Sequence, residues 1–248
     1  MISGLLLGAL CAVVAFAPAR WIERLVNSNG GGHVHMTDSA GTVWEGSARL
    51  ILTGGEGSHD AVPMAGRMHW HVSPGLRAFD IALNLDCCTR KPISLRLVPG
   101  LQSWQLRVEA LESRWPAEML AGLGTPWNTL QMAGALAVST PGITVNRARD
   151  RWNIEGSVQL DALDMGSPLS TVRPLGSYRA IVRGGAQPEM DISTLSGALQ
   201  LSGHGRWTDG ALRFEGDARA QEPHAAELSN LLNIMGRRDG ARSRITLG

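Results

Sequence analysis

Lysine is almost absent from this 248-residue chain: Lys91 is the only one, and every other basic residue is arginine or histidine. The formal net charge is +1 and the sequence pI is near 7.9. The strong basic excess of a general nucleic-acid binder is therefore missing, and no nucleic-acid partner is expected. Tyrosine is limited to Tyr178 and phenylalanine to three residues, which leaves eight tryptophans as the main aromatic anchors. A buried Trp removes a large area from water, so Trp44, Trp70, Trp104, Trp152 and Trp207 are expected in the core. Cysteine is scarce too, and Cys11, Cys87 and Cys88 make no disulfide framework. Adjacent strand residues point to opposite faces, so Cys87 and Cys88 are expected as thiols.

Charged side chains are missing from Met1 to Ala19, and Ile2 to Ala17 is almost wholly apolar. Three readings compete for this run. A cleavable signal would use Ala15-Phe16-Ala17, but Pro18 would follow the cut and no basic stretch precedes the run. A lipoprotein signal would need small residues before Cys11, where Leu10 stands. An uncleaved transmembrane anchor over 1–22 is favoured, carried by Leu5, Leu6, Leu7, Leu10, Val13, Val14 and Phe16. Arg20 and Arg24 follow it, and the positive-inside rule would then leave the body in the cytoplasm. Residues 23–40 are expected as a Gly-rich linker and 41–248 as one β-rich domain.

In that domain the pattern has period two. Met68 to Val72, Ile81 to Leu85, Ser94 to Val98, Trp104 to Val108, Ile192 to Leu201 and Leu212 to Ala220 all alternate. Pro74-Gly75, Pro99-Gly100, Pro141-Gly142, Gly184-Gly185 and Asp209-Gly210 separate the runs as turn signals. Trp44-Glu45-Gly46-Ser47-Ala48-Arg49-Leu50 recurs in form at Ile154 to Leu160 and at Phe214 to Ala220, each with one apolar and one polar face. The fold class is mainly β: an extended, curved antiparallel sheet folded over a core, with one or two short helices. Pro116 to Leu123 is one such helix. Pro223 to Met235 is the other, with Gly236 as a left-handed cap and Arg237 and Arg238 at its carbonyl end. Ile245-Thr246-Leu247 is expected to close the chain as a strand.

Groups able to do chemistry are present but do not assemble into a known pattern. His33-Val34-His35 and His69-Trp70-His71 place imidazoles on one strand face, yet no thiol or carboxylate completes a zinc set at a familiar spacing. Glu45, Glu155 and Glu215 fall on the polar faces of the repeated strands, and Asp161, Asp164 and Asp191 keep no fixed relation. There is no Gly-x-Ser-x-Gly elbow and no phosphate-cradling glycine loop; Gly203-His204-Gly205 begins one, but Thr208 occupies its last glycine position. No catalytic residue, cofactor or metal is assigned. Arg237, Arg238, Arg242 and Arg244 form the densest basic cluster and are a candidate contact for an acidic partner or for lipid head groups.

The C-terminal half carries a resemblance. Pro174-Leu175-Gly176-Ser177-Tyr178, the run from Thr194 to Trp207 (TLSGALQLSGHGRW) and the run from Leu231 to Gly240 (LLNIMGRRDG) resemble segments of type II secretion system protein N. Gly41 to Gly46 and Trp70 to Pro74 fit the same family, and the order of these segments along the chain carries the resemblance more than any one of them. It implies an inner-membrane protein with a periplasmic β-domain, accessory to the machine that exports folded proteins across the outer membrane. The implied partners are other subunits of that machine and the inner membrane, and no catalytic residues transfer. By this analogy alone the body is periplasmic. An alternative is a curved sheet whose apolar face cradles lipid acyl chains, as AsmA-type β-folds do.

Overall fold

The structure is a computed structural model that describes residues 2–55, 57–149, 151–208, 211–240 and 242–248; the side chains of residues 2–7 and of Leu10 lie outside it. The period-two segments become strands because alternate side chains leave a strand on opposite faces. The strands are β1 Val34–Gly41, β2 Glu45–Thr53, β3 Ala61–Pro63, β4 Met68–Pro74, β5 Phe79–Leu85, β6 Ile93–Pro99, β7 Ser103–Val108 and β8 Leu111–Pro116. They continue as β9 Ala133–Ala148, β10 Arg151–Gly166, β11 Gly176–Gly185, β12 Glu189–Ser196, β13 Leu199–Thr208, β14 Ala211–Ala220, β15 Arg237–Asp239 and β16 Arg242–Leu247. Among the described residues these sixteen form a single antiparallel sheet, ordered β1-β2-β4-β5-β6-β7-β9-β10-β11-β12-β13-β14-β16-β15, with β3 beside β2 and β8 beside β9.

The pairing register keeps one apolar face continuous across the sheet. Trp70 lies opposite Leu83, Leu95 opposite Val108, Leu106 opposite Val145, Val145 opposite Ile154 and Val158 opposite Val182. The intervening residues line a polar face. Antiparallel order also sorts the connections onto two rims. The β1/β2, β4/β5, β6/β7, β9/β10 and β11/β12 turns lie along an upper rim. The β5/β6 connection and the segments 117–132, 167–175 and 221–236 lie along a lower one.

The sheet bends at its middle. Strand β9 pairs with β8 up to Thr140 and with β7 from Ile143 onward, so Pro141-Gly142 sits at a fork. Opposite it, Gly156 has φ +102, a conformation that suits glycine, and an added Cβ would run into the Gly142 carbonyl. A second glycine of the repeated pattern, Gly46, leaves room for the Trp70 indole to lie over β2.

Two separate clusters cover the ends of the apolar face. At the N-terminal end Ala19, Met36, Ala48 and Trp70 are buried together with Ile22 and Val26 against them. At the lower end of the C-terminal half Leu136, Met165, Leu175, Tyr178, Leu199, Leu228, Leu231 and Leu232 form a larger cluster. Between them Phe79, Ile81, Leu95, Leu97, Leu106, Val108 and Val145 are only half-buried and Ile154 is exposed, whereas Leu85 at the lower end of β5 is buried.

The N-terminal residues fold as two helices, α1 Ile2–Ala15 and α2 Arg20–Asn29, which corrects the expectation of one transmembrane helix over 1–22. The break falls around Pro18, whose missing N–H and ring oppose helix continuation. At fourteen residues α1 is about 21 Å long against a hydrocarbon core of about 30 Å. Among the described residues no helix is long and apolar enough to cross a membrane. Residues 23–40 hold most of α2 and nearly all of β1.

Other expectations are also revised. Of the five tryptophans expected in the core only Trp70 is buried; Trp44, Trp104 and Trp207 are half-buried and Trp152 is 58% exposed. A single sheet layer with an open middle cannot enclose them. The alternation from Ile192 to Leu201 runs through a turn at Gly197, so it is two strands, β12 and β13. The first expected helix is a 3₁₀ turn, Ala117–Leu123, followed by the short α3, Trp127–Leu130. The second narrows to α4, Ser229–Met235, and Gly236 is extended rather than left-handed because the chain passes straight into β15. Cys87 and Cys88 lie in a turn, not a strand, and are joined by a disulfide. The Asp209-Gly210 turn lies outside the described residues, while Thr208 and Ala211 on either side of it are paired.

Candidate functional surface

The polar face is occupied by cross-strand ion pairs. Arg96 meets Asp80 at 2.7 Å, Arg179 meets Asp161 at 2.7 Å and Arg206 meets Glu189 at 2.8 Å. Asp191 holds both Arg183 and His204. The Arg179 guanidinium donates to both oxygens of Asp161 and holds that carboxyl below the usual range, against a smaller opposing effect of desolvation. His204 and then Arg183 do the same for Asp191. On the opposite face burial pushes the Tyr178 hydroxyl up, and that hydroxyl donates to the Leu199 carbonyl at 3.1 Å. These ion pairs are structural pairings across neighbouring strands.

The histidine pairs do not converge. His69 lies 3.4 Å from Asp86 and His71 lies 4.0 Å from Glu45 on β4's neighbours, while His33 sits beside the Thr53 carbonyl at the lower end of β1. Among the described residues no three His, Cys, Asp or Glu side chains gather as a metal site. Glu45, Glu155 and Glu215 stand on three different strands, all exposed, and Asp164 is separated from the paired Asp161 and Asp191. Open clefts flank the fork in the sheet. One, of about 1010 Å³, is lined by Arg90, Lys91, Glu112, Ser139 and Gln159 without a nucleophile and base in contact.

The two long edges of the sheet differ. On β1 the Asn27 side chain of α2 accepts from the Met36 N–H (2.8 Å) and donates to the Met36 carbonyl (3.1 Å). Glu23 accepts from the Ser39 N–H at 3.2 Å. Helix α2 thus occupies backbone groups that a bare edge would offer to another strand. The opposite edge, β15 with β16, carries the basic cluster. Its register puts Arg237 beside Arg244 and Arg242 beside Asp239 on one face, with Arg238 on the other. Arg238 donates to the Ser229 and Gly240 carbonyls and so ties α4 to β15. Arg237, Arg242 and Arg244 are exposed, and among the described residues none of them forms an ion pair. Arg219 joins them across β14.

Of the residues expected in the membrane anchor, Val13 and Val14 on α1 and Phe16 just after it are exposed. The side chains of Leu5, Leu6, Leu7 and Leu10 lie outside the described residues. Sequence reasoning missed Leu76 and Leu101, which stand fully exposed at the tips of the β4/β5 and β6/β7 hairpins. A signal was available: each follows Pro-Gly, in Pro74-Gly75-Leu76 and Pro99-Gly100-Leu101, so a large apolar residue occupies a position where turns favour polar ones.

The chain matches the family described as Type II secretion system (T2SS), protein N over residues 32–246. No curated protein and no solved structure matches it.

Proposed function

Because the chain belongs to the type II secretion system protein N family, with the role in type II secretion, the cell-envelope setting and the association with other components of that system which membership implies, we propose that it is a non-enzymatic accessory subunit attached to the inner membrane. Its body lies in the periplasm and α1 makes the attachment. It supports the export of folded proteins across the outer membrane by docking another subunit at the β15–β16 edge. The contrast between the two edges carries this reading. Helix α2 occupies β1, while β15 and β16 present Arg237, Arg242 and Arg244, which form no ion pair among the described residues although Asp239 and Asp217 lie opposite Arg242 and Arg244 in register. Adding an acidic strand to that edge would satisfy backbone groups and arginines together. Export of a periplasmic substrate is measured in cells whose own copy is deleted and replaced by the Arg237→Glu/Arg242→Glu/Arg244→Glu variant. The expected outcome is loss of export with the folded variant still present in the envelope; full export would remove the docking role.

A second reading rests on the half-buried apolar face between the two clusters, from Val72 across Leu95 and Val145 to Val182. This is a surface on which lipid acyl chains could lie. Mass spectrometry of lipid retained by the purified chain tests it, and a chain that comes through free of lipid would sink it.

A further inference from the structure

We infer that the upper rim of the sheet is seated on an anionic lipid surface. This deepens the membrane-attachment reading above. Four turns and one helix meet along that rim. The tryptophan of the β1/β2 turn, Trp44, donates from Nε1 to the Val14 carbonyl at 2.8 Å, and the Val43 N–H donates to Ala17 at 2.9 Å, so α1 leaves from the upper rim. The Trp44 carbonyl accepts from Val72, just below the β4/β5 turn. Phe79 of that hairpin pairs with Leu97 below the β6/β7 turn. The Arg149 N–H then donates to the Gln102 carbonyl at 3.0 Å, and the Trp104 and Trp152 rings pack edge-to-face at 5.5 Å, which joins the β6/β7 and β9/β10 turns. Six strand spacings separate β2 from β10 along this line, about 29 Å at ~4.8 Å each.

The tips carry what a membrane interface selects. Leu76 and Leu101 both have a relative exposure of 106%, and Trp152 has 58%. A single exposed leucine needs no explanation. Two at neighbouring hairpin tips, a tryptophan beside them and an apolar helix from the same rim form one aligned set. Tryptophan suits the headgroup level because its ring is apolar with one polar N–H. Basic groups stand next to each apolar tip: Arg77 follows Leu76, and Arg149 and Arg151 bracket the β9/β10 turn. Arg147 lies over the Trp152 ring at 5.1 Å. Asp150 offsets one charge in sequence. Among the described residues none of these four arginines forms an ion pair, whereas Arg96, Arg179, Arg183 and Arg206 on the polar face do. Apolar tips backed by arginines that form no ion pair among the described residues fit lipid phosphates over a buried acyl boundary.

The test uses the full chain with Cys11→Ser, carrying a fluorophore on Leu76→Cys, Leu101→Cys or, on the lower rim, His59→Cys. Each is reconstituted with vesicles of phosphatidylethanolamine and phosphatidylglycerol, or of phosphatidylcholine alone, and lipid-borne nitroxide quenching is read. The expected result is quenching at 76 and 101 at least about five-fold above that at 59 in the anionic vesicles. Arg77→Gln/Arg149→Gln/Arg151→Gln should reduce it. Equal quenching at all three sites while the chain still floats with vesicles overturns the rim and leaves attachment by α1 standing. A chain that neither floats nor is quenched overturns both. Equal quenching in neutral vesicles overturns the anionic surface.

Discussion

Along the lower rim the segments 117–132, 167–175 and 221–236 are long and fold back over the apolar face, burying Leu175, Leu228, Leu231 and Leu232. Along the upper rim the β4/β5 and β6/β7 connections are tight turns that end in exposed Leu76 and Leu101. One sheet thus has a rim built for its own stability and a rim whose two tip leucines bury nothing within the fold. Burial that is absent from the fold is available for something outside it, which is why the upper rim is the informative one.

The comparison breaks first at the lower rim. Leu232→Ala removes a side chain that is 1% exposed and should cost about 3 kcal/mol, read as a lower urea midpoint. Next in size is Gly156→Ala at the fork, where positive φ and the Gly142 carbonyl oppose a Cβ; a loss of about 2 kcal/mol is expected from thermal unfolding. Asp161→Asn should cost about 1 kcal/mol at neutral pH, because a charge-assisted pair that is partly open to water is lost. That carboxyl is depressed in the folded chain, so its contribution is present above the unfolded value near 4 and disappears as pH falls through the folded one. The wild-type chain should lose stability over that acidic window, and the difference between it and Asp161→Asn should shrink there. The smallest effect belongs to the upper rim: Leu76→Ser with Leu101→Ser should change stability by less than about 0.5 kcal/mol. A large loss would mean that these tips pack somewhere in the fold and would erase the contrast.

Much of the sheet was legible because alternation is local. Met68 to Val72, Ser94 to Val98 and Trp104 to Val108 read as strands and are strands. The apolar face of the repeated pattern also holds at Phe214 and Ala218, both buried. What covers a strand is not local, and there the reading went astray. Trp152 and Trp70 look alike in sequence, yet α2 packs over Trp70, while Trp152 meets Trp104 at its edge and Arg147 on its face and stays 58% exposed. Alternation is also blind to a hairpin whose turn keeps the phase, so Ile192 to Leu201 read as one strand. The apolar N-terminal run was visible, but the division at Pro18 and the docking of Asn27 and Glu23 on β1 depend on contacts across the fold. The arginine cluster was identified from its density. Its split, with Arg238 turned inward to α4 and the other three outward, follows from the β15–β16 register alone.

The division of labour between lipid and protein surfaces is tested most directly by photo-crosslinking in intact cells, with a photoreactive residue in place of Leu76 or of Arg242. The account predicts lipid adducts and no protein adduct from position 76, and an adduct with another secretion component from position 242. A protein adduct at 76, or none at 242 in secreting cells, would contradict it.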